Sequence, residues 1–251
     1  MSSQDRATAP AVVRAARILS HLADHSNPQR LTAIAGAIEI PVSSTAAICN
    51  ALEEERLIVR RNGGYVLGPR NLELAQRFLA QLHPLSAFAD VVATHATLRR
   101  ETVQIALLDG FEMLYVARRD GDQPFLISSA VGKRLPANCT AVGKASLALL
   151  RPEERTIPTP LPALTDHSIV DPERLEADIE QTATRGFAID DEETSPGATC
   201  LAVARRTPRR EVYGISATLL KSRMTPQLQR AIVSDLTATA DALFPAALGE
   251  S

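Results

Sequence analysis

Two groups of residues in this chain could do chemistry. The first begins with Asn138-Cys139-Thr140-Ala141-Val142-Gly143, a small and polar approach to an apolar helix. The leading amides of a helix lack intrahelical acceptors and lie at the positive end of its dipole, so such an entry attracts an anion. Alternation along Val212–Thr218 puts Gly214, Ser216 and Thr218 on one strand face, which presents two hydroxyls. Cys200 shares a face with the small Ala202 and Ala204, leaving room beside a soft thiol. Leu126, Leu135 and Val142 offer an apolar wall. These residue types suit holding a small molecule by a polar end. They do not suit turning it over, because the chain has no G-x-S-x-G elbow, phosphate loop or H-E-x-x-H. The five histidines are scattered, and the acids from Asp190 to Glu193 would disfavour a thiolate at Cys200. By composition alone Asp191 to Glu193 form a solvated turn, a reading that applies less to Asp190. Cys49, Cys139 and Cys200 form no C-x-x-C pair, so neither metal nor cofactor is expected and the thiols are read as reduced.

The second group is cationic. Arg60 and Arg61 approach an Asn62-Gly63 turn, Arg14 and Arg17 flank an apolar stripe, and Arg70 follows Pro69. Guanidinium groups so placed could reach a phosphate backbone or a minor groove. Between them lie Ser43, Ser44, Thr45 and Asn50, polar candidates for base edges, although Asn50 could equally face the core. No Lys or Arg occurs from Val42 to Glu55, which leaves phosphate anchoring to the five arginines. Residues 1–83 carry nine arginines and no lysine against seven acids, a net +2 in a chain of net charge −2. That asymmetry is weak but points toward double-stranded DNA at the N-terminal end.

Elements must position these groups. Apolar spacing predicts a helix over Val12–Ala23, a second over Leu31–Ile38 with Thr32 as cap, and a third capped by Ser43, Ser44 or Thr45 and ending near Glu55. Leu57 to Leu67 reads as two strands joined through Asn-Gly, a wing after a helix-turn-helix. A connecting helix over Asn71–Leu82 carries Leu72, Ala75, Leu79 and Leu82 on one face, for a dimer contact or for packing on its own chain. The domains expected are residues 1–68, a linker helix over 69–84, and residues 85–251. In the last, a helix over Leu85–Arg100 precedes strands at Thr102–Leu108, Met113–Arg118 and Phe125–Ser129 and a helix over Ala141–Leu150. A helix started by Asp171-Pro172 stops at Gly186, followed by strands at Phe187–Asp190, Cys200–Ala204 and Val212–Thr218 and a last helix from Thr225-Pro226. Without βαβ regularity the class is α+β. No apolar run approaches the ~20 residues of a membrane span and the first ten residues are polar, so a cytoplasmic location is expected.

From about Val12 to Leu243 the chain resembles the IclR family of bacterial regulators. The resemblance lies in Leu31-Thr32-Ala33-Ile34-Ala35, Pro41-Val42-Ser43-Ser44-Thr45, Tyr65-Val66-Leu67-Gly68-Pro69-Arg70, Val131-Gly132-Lys133-Arg134-Leu135-Pro136, Thr140-Ala141-Val142-Gly143-Lys144-Ala145, and Arg185-Gly186-Phe187-Ala188-Ile189-Asp190-Asp191-Glu192-Glu193 with Pro196-Gly197 and Cys200. It implies a winged helix-turn-helix, a GAF-like effector domain, and a homodimer or dimer of dimers that binds an operator, more often as a repressor. It also implies effector contacts at Ala141, Val142, Asp190, Cys200, Ser216 and Thr218, with a small organic acid, aromatic or short aliphatic, as the ligand class. The chain departs from the family pattern at Ala47, where Arg is usual, and at Arg56, where Gly is usual. The other readings are a ligand-binding module or a hydrolase that uses the helix-turn-helix for assembly.

Overall fold

A computed structural model describes residues 9–122 and 130–245, in two compact units, Met1–Leu82 and His83–Ser251. The strand expected at Phe125–Ser129, and with it Leu126, lies outside the described residues.

In the first unit α1 (Pro10–Ala23), α2 (Leu31–Ala37) and α3 (Val42–Glu54) precede a hairpin of β1 (Ile58–Arg61) and β2 (Gly64–Leu67). Ile18, Leu22, Ile34, Cys49, Leu52, Ile58 and Tyr65 bury one common core drawn from every element. Asn62 and Gly63, at φ 46° and 76°, supply the left-handed turn that Asn-Gly prescribes. Gln29, in the break after α1, exchanges backbone hydrogen bonds with Tyr65 at 2.9 and 2.8 Å, which adds a third segment to the wing. Two expected caps are corrected. Arg30 and Pro41 occupy the positions before α2 and α3, neither makes a side-chain cap bond, and Thr32, Ser43, Ser44 and Thr45 all fall inside the helices. Arg56 ends this turn at φ 59°, the left-handed conformation glycine adopts at no cost. Then α4 (Arg70–Gln81) follows, with no buried residue.

The second unit holds α5 (Phe88–Thr94), β3 (Thr102–Asp109), β4 (Glu112–Arg119), β5 (Arg134–Pro136), α6 (Ala141–Ala148), α7 (Pro172–Arg185), β6 (Ala188–Asp191), β7 (Ala198–Arg206), β8 (Val212–Leu220) and α8 (Pro226–Leu243). The strands form one antiparallel sheet in the order β5-β4-β3-β8-β7-β6, the expected α+β class. The long helix expected over Leu85–Arg100 breaks at His95, which turns extended, and resumes only as a short 3-10 turn at Leu98–Arg100. The β-branched run Val91-Val92 and Thr94 weakens that helix locally. Leu201, Val203, Ile215 and Ala217 are buried on one sheet face and Ala202, Ser216 and Thr218 on the other, so both faces are covered. Asp171 accepts from the Glu173 amide at 2.9 Å and Gly186 closes α7 at φ 80°, as the residue types require.

Candidate ligand site and nucleic-acid interface

Strand register gathers the polar residues of the second unit. Across β6, β7, β8 and β3, Asp190 pairs with Cys200, Cys200 with Thr218 and Thr218 with Thr102; one pleat along, Ala202 pairs with Ser216 and Ser216 with Gln104. Directly paired residues point to the same face. Helix α6 lies on that face so closely that a Cβ on Gly214 would sit 2.8 Å from the Val142 Cβ. Between them is a cavity lined by Thr140, Ala141, Val142, Asp190, Cys200, Ser216 and Thr218, all expected, together with Gln104, Tyr115 and Thr194. Its empty space is about 250 Å³, little of it wider than a water molecule. Room for a water-sized body amounts to only about 10 Å³, enough for one water against the ~300–1,000 Å³ of typical ligand pockets, so a ligand must widen the site to enter. Leu135 is not among the lining residues but belongs to the apolar cluster that contains Tyr115, Ala141 and Val142, which are.

Thr140 caps α6 by accepting from the Gly143 amide at 3.0 Å, and Gly143 is there because a Cβ would fall 2.2 Å from the Ala137 carbonyl oxygen. The first two amides of the helix, those of Ala141 and Val142, have no intrahelical acceptor and belong to residues lining the cavity. Asp190 Oδ1 accepts from the amides of Glu193 at 2.7 Å and Thr194 at 3.2 Å. The Thr194 hydroxyl stands 2.6 Å from Asp190 Oδ2 and 2.7 Å from the Cys139 carbonyl, two acceptors for one proton. The conflict disappears if Asp190 itself is protonated, donating to Thr194 Oγ1, which then donates to Cys139. Burial acts in the same direction, pushing the Asp190 carboxyl above its ordinary range against the hydrogen bonds that lower it. Burial also raises the Cys200 thiol well above normal, with Asp190 adding to the effect, so this sulfur is no nucleophile. Instead it lies 3.1 Å from Thr218 Oγ1.

Behind the cavity, Lys144 of α6 is fully buried, with its Nζ 2.5 Å from Glu193 Oε1 and 3.1 Å from Asp178 Oδ2. The solvated-turn reading of the acidic run therefore fails for Glu193, which is buried, while Glu192 pairs with Lys221 at 2.6 Å at the surface. Burial pushes the Glu193 carboxyl up to about 7, with Lys144 opposing.

In the first unit Arg14, Arg17 and Arg61 are exposed. Arg60 and Arg70 are exposed but paired, with Glu53 at 3.1 Å and Glu55 at 3.7 Å. Ser43, Ala47, Asn50 and Ala51 occupy the solvent face of α3, and Ser44 is part-buried. Thr45 is corrected: it is 0% exposed and its hydroxyl donates back to the Pro41 carbonyl at 3.1 Å, which gives it no base to touch. The exposed face of α3 is thus small, with one amide, two or more methyls and no cation. Sequence reasoning missed Gln104, Tyr115 and Thr194. A lone glutamine in the apolar run of β3 was a signal for the first; the other two depend on register and a long-range turn.

The family description "Bacterial transcriptional regulator IclR C-terminal" matches residues 77–244, and "IclR helix-turn-helix domain" matches residues 11–62. A probable transcriptional regulator SauR of Cupriavidus necator is 31% identical over 237 residues, 92% of this chain and 94% of that protein. The repressor BlcR of Agobacterium tumefaciens, a crystal structure, is 31% identical at a TM-score of 0.59, covering 94% and 96% of the two chains. An IclR homologue from Microbacterium hydrocarbonoxydans complexed with 4-hydroxybenzoate shares the fold at a TM-score of 0.75 and 22% identity, covering 93% and 98%.

Proposed function

Because this chain belongs to the IclR family of bacterial transcriptional regulators, we propose that it acts in the cytoplasm as a homodimeric repressor whose grip on its operator is adjusted by a small organic acid. Helix α3 enters the major groove, with Ser43, Ser44 and Asn50 toward base edges and the methyls of Ala47 and Ala51 toward thymine methyl groups. Arg14, Arg17, Arg60, Arg61 and Arg70 supply the phosphate contacts. The repressor direction is supported by BlcR, and an acid ligand by the complexed homologue.

The observation that carries the effector reading is the cavity at the start of α6. A carboxylate there meets the amides of Ala141 and Val142 and the Thr218 hydroxyl, while Ser216 and Gln104 lie one pleat along the same face. A protonated Asp190 removes the repulsion that its carboxylate would exert on such a ligand. Thermal-shift titration against short aliphatic and aromatic carboxylates, with matched alcohols and amides, tests this. An acid that fits raises the midpoint by mass action and shifts affinity for footprinted DNA upstream of the gene. Stabilisation by neutral analogues but by no carboxylate would overturn the ligand class, and stabilisation without any change in DNA affinity would overturn the coupling.

A further inference from the structure

Arg60 at the base of the wing is not an unengaged cation. Its Nε donates to Glu53 Oε2 at 3.1 Å and its terminal nitrogen to Asn50 Oδ1 at 3.3 Å, and its guanidinium lies 5.1 Å from the Tyr65 ring centroid. Two of these partners, Asn50 and Glu53, lie on α3; the third, Tyr65, is the cross-strand neighbour of Arg60 in the wing. The chain therefore joins the recognition helix to the wing through one side chain. A backbone phosphate asks of a guanidinium what a carboxylate does, so Glu53 and DNA compete for the same group. Asn50 feels the same contact: its carbonyl accepts from Arg60 with one of its two lone pairs, so the side-chain amide is held beside the wing while the pair lasts.

We infer that Glu53 is a positioning residue that restrains DNA affinity, holding Arg60 on Asn50 and Tyr65 and off the phosphates until a matched groove receives α3. The inference rests on the reading of α3 and the wing as the DNA-binding face. On arbitrary sequence α3 does not seat, Arg60 stays with Glu53, and one phosphate contact is missing. On a matched sequence the contacts of α3 offset the exchange of carboxylate for phosphate. Glu53 thus lowers affinity on both kinds of DNA: on a matched sequence by the full cost of breaking its pair with Arg60, and on arbitrary sequence by the smaller phosphate contact that the intact pair forgoes.

The test measures salt-dependent binding of the full chain to two probes: a mixed-sequence duplex, and a duplex selected by the unaltered protein from a random pool. Glu53 is part-exposed, so E53Q should fold as the parent does. For the mixed duplex E53Q is expected to bind about 3- to 10-fold tighter, with a log–log salt slope steeper by roughly one. For the selected duplex the gain is at least as large, because there the parent must break the pair to bind, while the salt slope stays near the parent's, because the phosphate contact is already made. E53D, which keeps the carboxylate, should show little of either gain. In an R60A background E53Q should give no gain, because no guanidinium remains to be released. A gain of equal size with and without Arg60 would reduce Glu53 to bulk charge and overturn the inference, as would a gain on the mixed duplex larger than that on the selected one. If the unaltered protein selected nothing from the pool, and R61A left its DNA binding and salt slope untouched, the DNA-face reading itself would fall and this inference with it. A selected sequence together with an inert E53Q overturns the tether alone.

Discussion

Lys144 is enclosed between two carboxylates, Glu193 and Asp178, in a helix whose residues from Ala141 to Leu147 are all buried. Removing one partner of a buried ion group leaves an uncompensated charge, so Lys144→Met is expected to cost on the order of 3–5 kcal/mol, measured by denaturant unfolding. Glu193→Gln leaves one lysine with one carboxylate and should cost far less. It should also remove a pH dependence. Folded Glu193 titrates near 7, against an ordinary 4.5. A carboxyl that keeps its proton to higher pH in the folded chain than in the unfolded one favours folding at low pH. That contribution fades as pH rises from about 4.5 to about 7. Relative to Glu193→Gln, the parent should therefore lose stability across that window; parallel curves would remove the assignment. Asp190 makes a separate prediction on the ligand side. Its pKa is raised, so affinity for a carboxylate effector should be highest where Asp190 is protonated and should weaken as pH climbs through that value. Asp190→Asn should bind with little pH dependence, while Glu193→Gln should leave the Asp190 profile in place. A profile unchanged in Asp190→Asn would show that the ligand does not sense this group. Cys200 could be read from strand alternation beside the small Ala202 and Ala204, whereas Asp190 could be read into the candidate site by resemblance alone. The burial of Glu193 could not, because its counter-ion Lys144 is 49 positions away and only the fold brings the two together.

Helix α6 is the element on which the site depends. It is only eight residues long, too short to hold itself in water, and it is fixed by its ends and its packing. Thr140 caps its start, and at its other end Arg155 Nε donates to the carbonyls of Leu147 and Leu150 at 3.1 and 3.2 Å, with Glu176 as its ion partner. Gly214 of β8 lets Val142 approach the sheet directly. Gly214→Ala should therefore push α6 off the sheet by a few tenths of an ångström or more, at a cost of roughly 1–3 kcal/mol from overpacking. It should impair effector binding more than that loss alone explains, because the amides of Ala141 and Val142 move with the helix. Effector affinity equal to the parent's would show that the helix entry does not position the ligand. How far the elements could be read in advance follows the range of the interactions that set them. The wing, the start of α7 and the start of α8 are governed by Asn62-Gly63, Asp171-Pro172 and Thr225-Pro226, local signals that the structure repeats in its hairpin and caps. The break at His95 and the three-residue strand β5 carry no comparable local signal. Strand β5 exists because β4 offers an edge to Arg134-Leu135-Pro136, a tertiary fact that periodicity along the chain does not contain.

For the molecule as a whole, the decisive feature is a set of exposed apolar side chains on two helices. Along α4, Leu74 (51% exposed) and Phe78 (42%) are i,i+4 neighbours and Leu72 (65%) lies on another side, and on α1 Val12 is 67% exposed beside Val13. Monomers rarely leave many such side chains on helices, and these stand exposed among the described residues. A second copy is the occupant that the proposed function requires. One small α3 face without a cation has too few groups to select an operator alone, whereas two faces related by a two-fold axis read a near-palindrome with half-sites spaced by whole helical turns. Dimerisation and operator affinity are then thermodynamically linked. Leu72→Glu combined with Phe78→Glu should leave the first unit folded, since neither residue belongs to its core, yet shift the protein toward monomer in sedimentation. Affinity for the two-half-site operator should drop about 10²- to 10⁴-fold, the advantage that a second, tethered contact confers. Affinity for an isolated half-site should stay near the parent's. Binding of the variant should also steepen with protein concentration, because two monomers must now meet on the DNA. A variant that sediments as the parent does would free α4 from the interface. One that becomes monomeric but keeps full operator affinity would show that a single head carries the recognition.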